Sequence, residues 1–178
     1  MQVVDKIISN FTNNKSLYIG EKVTMSENMI QTAMLAEKAK CNDDLICSCL
    51  LHDYGHFILE SPDELVKKNL DGKHEDIGYE YLKNIFKKEI TDPIRYHVQA
   101  KRYLARDKNY FELLSVASKI SLKLQGGVLN DDESTKFEEQ DYFKSTILLR
   151  KFDDAAKKTD IKMKSIHDYK KLLTSKIK

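Results

Sequence analysis

The sequence predicts an all-α fold, a single-domain helical bundle with a metal site in its core. Three observations predict it. Apolar residues recur at helical spacing in one segment after another. Helix-start signals precede several of those segments, among them Asn42-Asp43 and Asp92-Pro93. Histidines and aspartates fit to bind a metal sit on different predicted helices, which is how bundles assemble such sites.

Taken in order, residues 1–15 form a short helix through Val4, Ile7, Ile8 and Phe11. Tyr18-Ile19-Gly20-Glu21-Lys22-Val23 is a loop pivoting on Gly20. Ser26 caps a helix to about Lys40, with Met29, Ile30, Ala33 and Met34 on its apolar face. Asn42-Asp43 caps the next helix, which carries Leu45, Ile46, Cys49 and Leu50 into His52-Asp53 before Gly55 breaks it. Ser61-Pro62-Asp63 marks a turn or short helix start, and 65–73 an exposed loop. His74-Glu75 opens a helix with Ile77, Tyr81, Leu82 and Ile85. Asp92-Pro93, a cap followed by a first-turn proline, starts the helix carrying His97. Ser115 begins a helix through Val116, Ile120 and Leu124 that Gly126-Gly127 ends. Asn130-Asp131-Asp132-Glu133 reads as a solvated acidic loop. Ile147, Leu148 and Phe152 line a helix delivering Arg150 and Asp153, and a Lys-rich helix at about 165–176 covers the surface.

The 178 residues suit one domain spanning 1–178, without repeat or linker. Thirty basic against 28 acidic residues, a net +2, give no broad argument for nucleic acid. Apolar runs are too short to span a bilayer, and Met1-Gln2-Val3-Val4-Asp5 lacks the pattern of a signal peptide. Cys41, Cys47 and Cys49 read as reduced core residues of a cytoplasmic protein. Oligomeric state is open.

The chemistry lies in His52-Asp53. Neighbouring helical side chains diverge, so the pair cannot clamp one ion alone. It can offer imidazole to one ion while the carboxylate bridges to a second. The further ligands are His74, His97 and Asp153. A lone His97 would read as a core histidine, whereas the set reads as a metal site. Imidazole and carboxylate without thiolate suit iron, manganese, zinc or nickel. Arg95, Lys101 and Arg150 add cations near the helices concerned, pointing to an anionic substrate such as phosphate or phosphonate.

The ordered set His52-Asp53, His74, His97, Asp153 resembles the HD-domain superfamily. The flanking stretches are narrower: Tyr18-Ile19-Gly20-Glu21, His97 to Leu104, Leu124-Gln125-Gly126-Gly127, and Leu149 to Asp154. From about Tyr18 to Lys158 they resemble the PhnZ-like mixed-valent diiron oxygenases of phosphonate catabolism, and more distantly myo-inositol oxygenase. The resemblance implies two irons, Fe(II)/Fe(III), with dioxygen as co-substrate. It implies C–P cleavage of 2-amino-1-hydroxyethylphosphonate, or an N-methylated analogue, to glycine or its betaine and phosphate.

Carried over by motif, His52, Asp53 and Asp153 would hold one iron, and Asp53, His74 and His97 the other. Tyr18 would occupy a metal position until substrate enters, and Glu21 would recognise its ammonium. His56, Lys101, Ser118, Ser121, Gln125 and Arg150 fall where the family binds phosphonate or supports the metals, with Ser121 in place of threonine. One departure stands out: the family's first histidine ligand corresponds here to Asn28, and no histidine precedes His52. Three outcomes stay open: an active diiron enzyme, a site with one weakly held ion, and an inactivated relative. A metal-dependent phosphohydrolase and a non-catalytic phosphonate- or phosphate-binding protein are the rival functions.

Overall fold

The structure, a computed structural model, describes residues 2–18, 22–58 and 73–178. Ser61-Pro62-Asp63, most of the 65–73 loop, and Ile19, Gly20 and Glu21 lie outside the described residues. Ten helices are described: α1 (Gln2–Asn13), α2 (Met25–Lys38), α3 (Asp43–Leu51), α4 (His74–Leu82), α5 (Lys88–Leu104), α6 (Lys108–Leu113), α7 (Val116–Leu124), α8 (Asp131–Glu138), α9 (Phe143–Ala155) and α10 (Lys170–Ser175). Two 3-10 turns, Tyr54–Phe57 and Ile166–Tyr169, join them. Among the described residues β-pairing is confined to two isolated bridges, Leu17 with Thr24 and Phe86 with Ile177. No described helix is long and apolar enough to cross a membrane.

α1 buries Val4, Ile7, Ile8 and Phe11, the predicted stripe. α2 starts earlier than expected. Thr24, not Ser26, is its cap: Thr24 Oγ1 accepts from Glu27 N at 3.1 Å, and Glu27 Oε2 accepts from Thr24 N at 2.7 Å. This reciprocal box satisfies two end donors at once, which a lone serine cannot. Ser26 Oγ instead donates to Phe11 O at 3.0 Å, tying α2 to the end of α1. α3 is capped as predicted, with Asn42 Oδ1 accepting from Leu45 N at 2.9 Å.

α5 also begins earlier, at Lys88, so Pro93 lies inside it rather than in its first turn. A proline there removes the bond that would reach the Glu89 carbonyl. Burial of Ile90, Thr91 and Ile94 on one face holds the preceding turn helical. Ser48 Oγ of α3 donates to Ile90 O at 2.9 Å, pinning the same turn.

The acidic stretch read as a loop is the start of α8. Asn130 and Glu133 form a second capping box, and Arg102 and Arg106 pair with Glu133 and Asp131. α7 has its predicted cap, Ser115, but turns Val116 and Ile120 outward and buries Ser118 and Leu122. In α9 the buried row is Thr146, Leu149, Arg150 and Asp153, while Leu148 is largely exposed. The expected helix at 165–176 is a 3-10 turn followed by α10. It is more than a solvated cover, because Ile166, Tyr169 and Leu173 enter the main core. Cys47 and Cys49 are buried and Cys41 half-buried, all as free thiols.

The packing sets up the site. α9 lies against α2, α3 and α5, and α4 against α5 and the Tyr54–Phe57 turn. Side chains from α2, the end of α3, α4, α5 and α9 therefore converge on one buried region.

Candidate metal centre

α3 ends at Leu51 with His52 as its cap, and Asp53 follows in a non-helical backbone conformation (φ −101°, ψ 14°). That break lets the two neighbours face one region despite their adjacency. The turn beyond it meets α4 at close range. A Cβ on Gly55 would lie 1.9 Å from His74 O and 2.9 Å from Gly78 N, and one on Gly78 3.1 Å from Gly55 N. Two glycines thus bring the first turn of α4, and with it His74, onto Asp53. Gly55→Ala is accordingly expected to lower stability by about 1–3 kcal/mol, the usual cost of overpacking a dense core. Urea unfolding of the metal-free protein measures this, and an unchanged midpoint would show that α4 does not seat against this turn.

The Asp53 carboxylate is the hub. Its Oδ1 lies 3.1 Å from His74 Nε2 and 3.3 Å from His97 Nε2, and those two nitrogens are 3.1 Å apart. Its Oδ2 lies 3.5 Å from His52 Nε2, which is also 3.5 Å from Asp153 Oδ1. One oxygen thus faces two histidines and the other faces a third beside Asp153. Ligand atoms of Asp53, His74 and His97 all fall within 4.8 Å of one another. His52, Asp53, His97 and Asp153 are at most 2% exposed and His74 7%.

Two of the three imidazoles, His52 and His97, are anchored through Nδ1 by hydrogen bonds, so Nε2 turns inward. His52 Nδ1 donates to Cys49 O at 2.9 Å, and His97 Nδ1 to Ile94 O at 2.7 Å. His74 Nδ1 lies 3.4 Å from Glu75 Oε2. Such partners orient a ligating imidazole and leave Nε2 free to donate electrons to a metal. His56 stacks on His74, with ring centroids 4.1 Å apart.

The electrostatics match a cation site. Burial opposes the charge on Asp53, but His52, His74 and His97 outweigh it and hold its pKa well below the usual carboxylate range. Burial likewise opposes a proton on His52, yet Asp53 and Asp153 push its pKa up to about 10. Burial, with His56 next, lowers His74 to about 3. His52 Nε2 and Asp53 Oδ2 are buried without a hydrogen-bond partner, at a cost that an ion would remove. The donor set fits a metal.

Asn28 reaches the site from α2, fully buried. Its Nδ2 donates to Asp153 Oδ1 at 3.1 Å and to Ala156 O at 3.0 Å, while Oδ1 has no hydrogen-bond partner. Turning the amide over would set its oxygen against two acceptors, so this orientation is the favoured one. Asp153 is engaged on both oxygens, because Arg150 Nη1 lies 2.7 Å from Oδ2. Arg150 also pairs with Asp154, so two carboxylates already share its charge.

Beside this centre lies a polar strip on α7. Lys101, 4% exposed, donates through Nζ to Ser121 Oγ at 2.9 Å. Burial, then repulsion from Arg150, lowers its pKa to about 7. Ser118 is buried, and Gln125 Oε1 is an unpaired buried oxygen at the end of α7. Burial, and then Asp153 and Asp53, raise the Tyr18 phenol well above its ordinary pKa. Glu21 lies outside the described residues. Arg95 turns away to Asp76, 3.3 Å off, and to the face of Tyr79. Sequence reasoning missed Glu75, Asp154 and Lys157. Asp154 and Lys157 extend the Arg150-to-Asp153 register by one and four residues, but only the fold shows what they meet.

A helical bundle with a buried cluster of three histidines and two aspartates, one carboxylate facing histidines through both oxygens, has the donor set of an HD-type metal centre. The HD domain family matches residues 25–126, more than half of the chain. The chain is 44% identical over 145 residues to [1-hydroxy-2-(trimethylamino)ethyl]phosphonate dioxygenase (glycine-betaine-forming) of Leisingera caerulea, covering 81% of this chain and 74% of that one. It is 38% identical over 157 residues to hydroxymethylphosphonate dioxygenase of Gimesia maris, covering 85% and 77%. It is 35% identical over 178 residues to uncharacterized protein L432 of Acanthamoeba polyphaga mimivirus, covering 97% and 81%. The chain belongs to the HD-domain family and, within it, to the oxygenase branch that includes these phosphonate dioxygenases.

Proposed function

We propose that the protein is an iron-dependent oxygenase that cleaves the C–P bond of a small 1-hydroxylated phosphonate with dioxygen. The substrate read from the sequence is 2-amino-1-hydroxyethylphosphonate or an N-methylated analogue, giving glycine or the betaine and phosphate. The observation that carries this reading is the Asp53 carboxylate, with Oδ1 facing His74 and His97 and Oδ2 facing His52. Two irons, one Fe(II) and one Fe(III), would be held by Asp53, His74 and His97 on one side and by His52, Asp53 and Asp153 on the other. When bound, they supply the redox chemistry with dioxygen that side chains alone lack.

The chain's own groups do the rest. The Nδ1 anchors hold His52 and His97 in register before any ligand arrives, so little reorganisation is needed. Burial of the cluster excludes bulk water, which disfavours simple hydrolysis and strengthens every charge contact inside. Lys101, with Ser118, Ser121 and Gln125, presents donors to the phosphonate. Arg150 acts mainly by fixing Asp153, since its charge is shared with Asp153 and Asp154. Tyr18 closes the approach to the centre from the loop that also contains Glu21, the proposed partner of a substrate ammonium.

The test is oxygen consumption by the iron-loaded protein with 2-amino-1-hydroxyethylphosphonate, its trimethylated analogue and hydroxymethylphosphonate in parallel. We expect oxygen uptake matched one to one by phosphate release for at least one of them. Preference for an amine-bearing substrate would support Glu21, and preference for hydroxymethylphosphonate would remove that role. Phosphate release without oxygen would make the protein a hydrolase, and binding without turnover a phosphonate-binding relative.

A further inference from the structure

We propose that Lys157 is a substrate-binding residue, a second cation that holds the phosphonate from the end of the α7 serine row opposite Lys101. This rests on the reading of the site as a phosphonate pocket and names a residue that reading does not use. Ser115, Ser118 and Ser121 stand three residues apart, the spacing of one helix face. Lys101 Nζ reaches Ser121 Oγ at 2.9 Å at one end. Lys157 Nζ reaches Ser118 Oγ at 3.2 Å and Ser115 Oγ at 3.4 Å at the other. The row is stitched together, Ser121 Oγ donating to Ser118 O at 3.1 Å and Ser115 Oγ to Ser118 Oγ at 3.2 Å. The two ammonium groups, with the Ser118 hydroxyl between them, are the donors this row can turn to one tetrahedral anion.

Lys157 is also tied to the metal cluster by its position. It lies two residues beyond the end of α9, which carries Asp153, and the neighbouring Ala156 O holds Asn28 Nδ2. Its Nζ lies 5.1 Å from the centroid of the Tyr18 ring, so the same ammonium meets the loop residue that faces the site. Charge balance favours it as a ligand for the substrate. A phosphate-like group carries about −1.5 to −2 at neutral pH. Arg150 is already matched by two carboxylates, so along the serine row the side-chain positive charge comes from Lys101 and Lys157.

Methylphosphonate is the probe, titrated calorimetrically into the iron-loaded protein alongside its monomethyl ester, which carries a single charge. Lys157→Met is expected to weaken methylphosphonate binding about 10–100-fold, the usual effect of removing a charge-assisted hydrogen bond. The monoester should lose less, and Lys157→Arg should restore most of the affinity. Unchanged methylphosphonate binding in Lys157→Met would overturn the proposal, as would an arginine variant no better than methionine. Equal losses on both ligands would also overturn it, by showing a shape effect and not a charge effect. A wild-type protein that consumes oxygen normally while Lys157→Met matches it would sink this inference and leave the oxygenase reading standing. Lys157-dependent methylphosphonate binding without any oxygen chemistry would do the reverse.

Discussion

Asp53→Ala should leave a folded protein that holds at most one iron per chain and turns over no phosphonate. Asp53 is the only carboxylate among the described residues whose two oxygens face separate histidine sets, Oδ1 toward His74 and His97 and Oδ2 toward His52. Removing it deletes a ligand from both positions. Loss of a group that merely orients a ligand commonly weakens metal binding 10–100-fold, so loss of a shared ligand should exceed about 100-fold. The fold itself should survive, because the cluster sits beside a large apolar core and His52 and His97 keep their carbonyl anchors. Elemental analysis and EPR after iron loading give the answer, with Asp53→Asn as the variant of unchanged shape. Two tightly held irons in Asp53→Ala would show that Asp53 bridges nothing. His52→Ala should be milder, emptying the position beside Asp153 while the Asp53, His74 and His97 trio retains its ion.

The membership of this cluster was legible in the sequence because His and Asp on successive helices have few structural reasons to gather. Their order along the chain also matched a family pattern. Their geometry was not legible. His52 and His97 both find the carbonyl three residues back, a contact that any helical histidine can make and that says nothing about a metal. Only the convergence of Nε2 atoms on Asp53 distinguishes them. Helix bodies were read correctly, but several starts were misplaced where two local signals competed. At Ser26 a single hydroxyl was preferred to the reciprocal Thr24-Glu27 box. At Asp92-Pro93 a start signal was outweighed by burial of Ile90 and Thr91 one turn earlier. Asn130 to Glu133 looked solvated because its charges are acidic, yet acidic groups favour a helix N-terminus and Arg102 and Arg106 offset them. Val116 and Ile120 are exposed although their spacing predicted a core face. α7 spends its buried face on Ser118 and Leu122, and so delivers hydroxyl donors where apolar spacing predicted core.

Asn28→His is expected to raise iron retention about 10–100-fold at the position shared by His52, Asp53 and Asp153. The structure explains why the position can take an imidazole. Asn28 sits fully buried on α2, and its Nδ2 already donates to Ala156 O and to Asp153 Oδ1. A histidine there can keep the Ala156 contact through one ring N–H, as His52 and His97 do with Cys49 O and Ile94 O, and present its other nitrogen to the metal. It would also release Asp153 Oδ1, which now accepts from the amide, to serve the ion. Asn28 Oδ1, buried and without a partner, can offer only a neutral and weaker oxygen in that role. Iron per chain after dialysis against a chelator measures the retention, and oxygen uptake measures turnover. Higher iron with higher turnover means that weak occupancy limits the natural protein, which is the outcome we expect. Higher iron with lower turnover means that Asn28 tunes the centre. If neither quantity moves, Asn28 lies outside the coordination sphere and serves only to tie α2 to Asp153 and Ala156 at the end of α9.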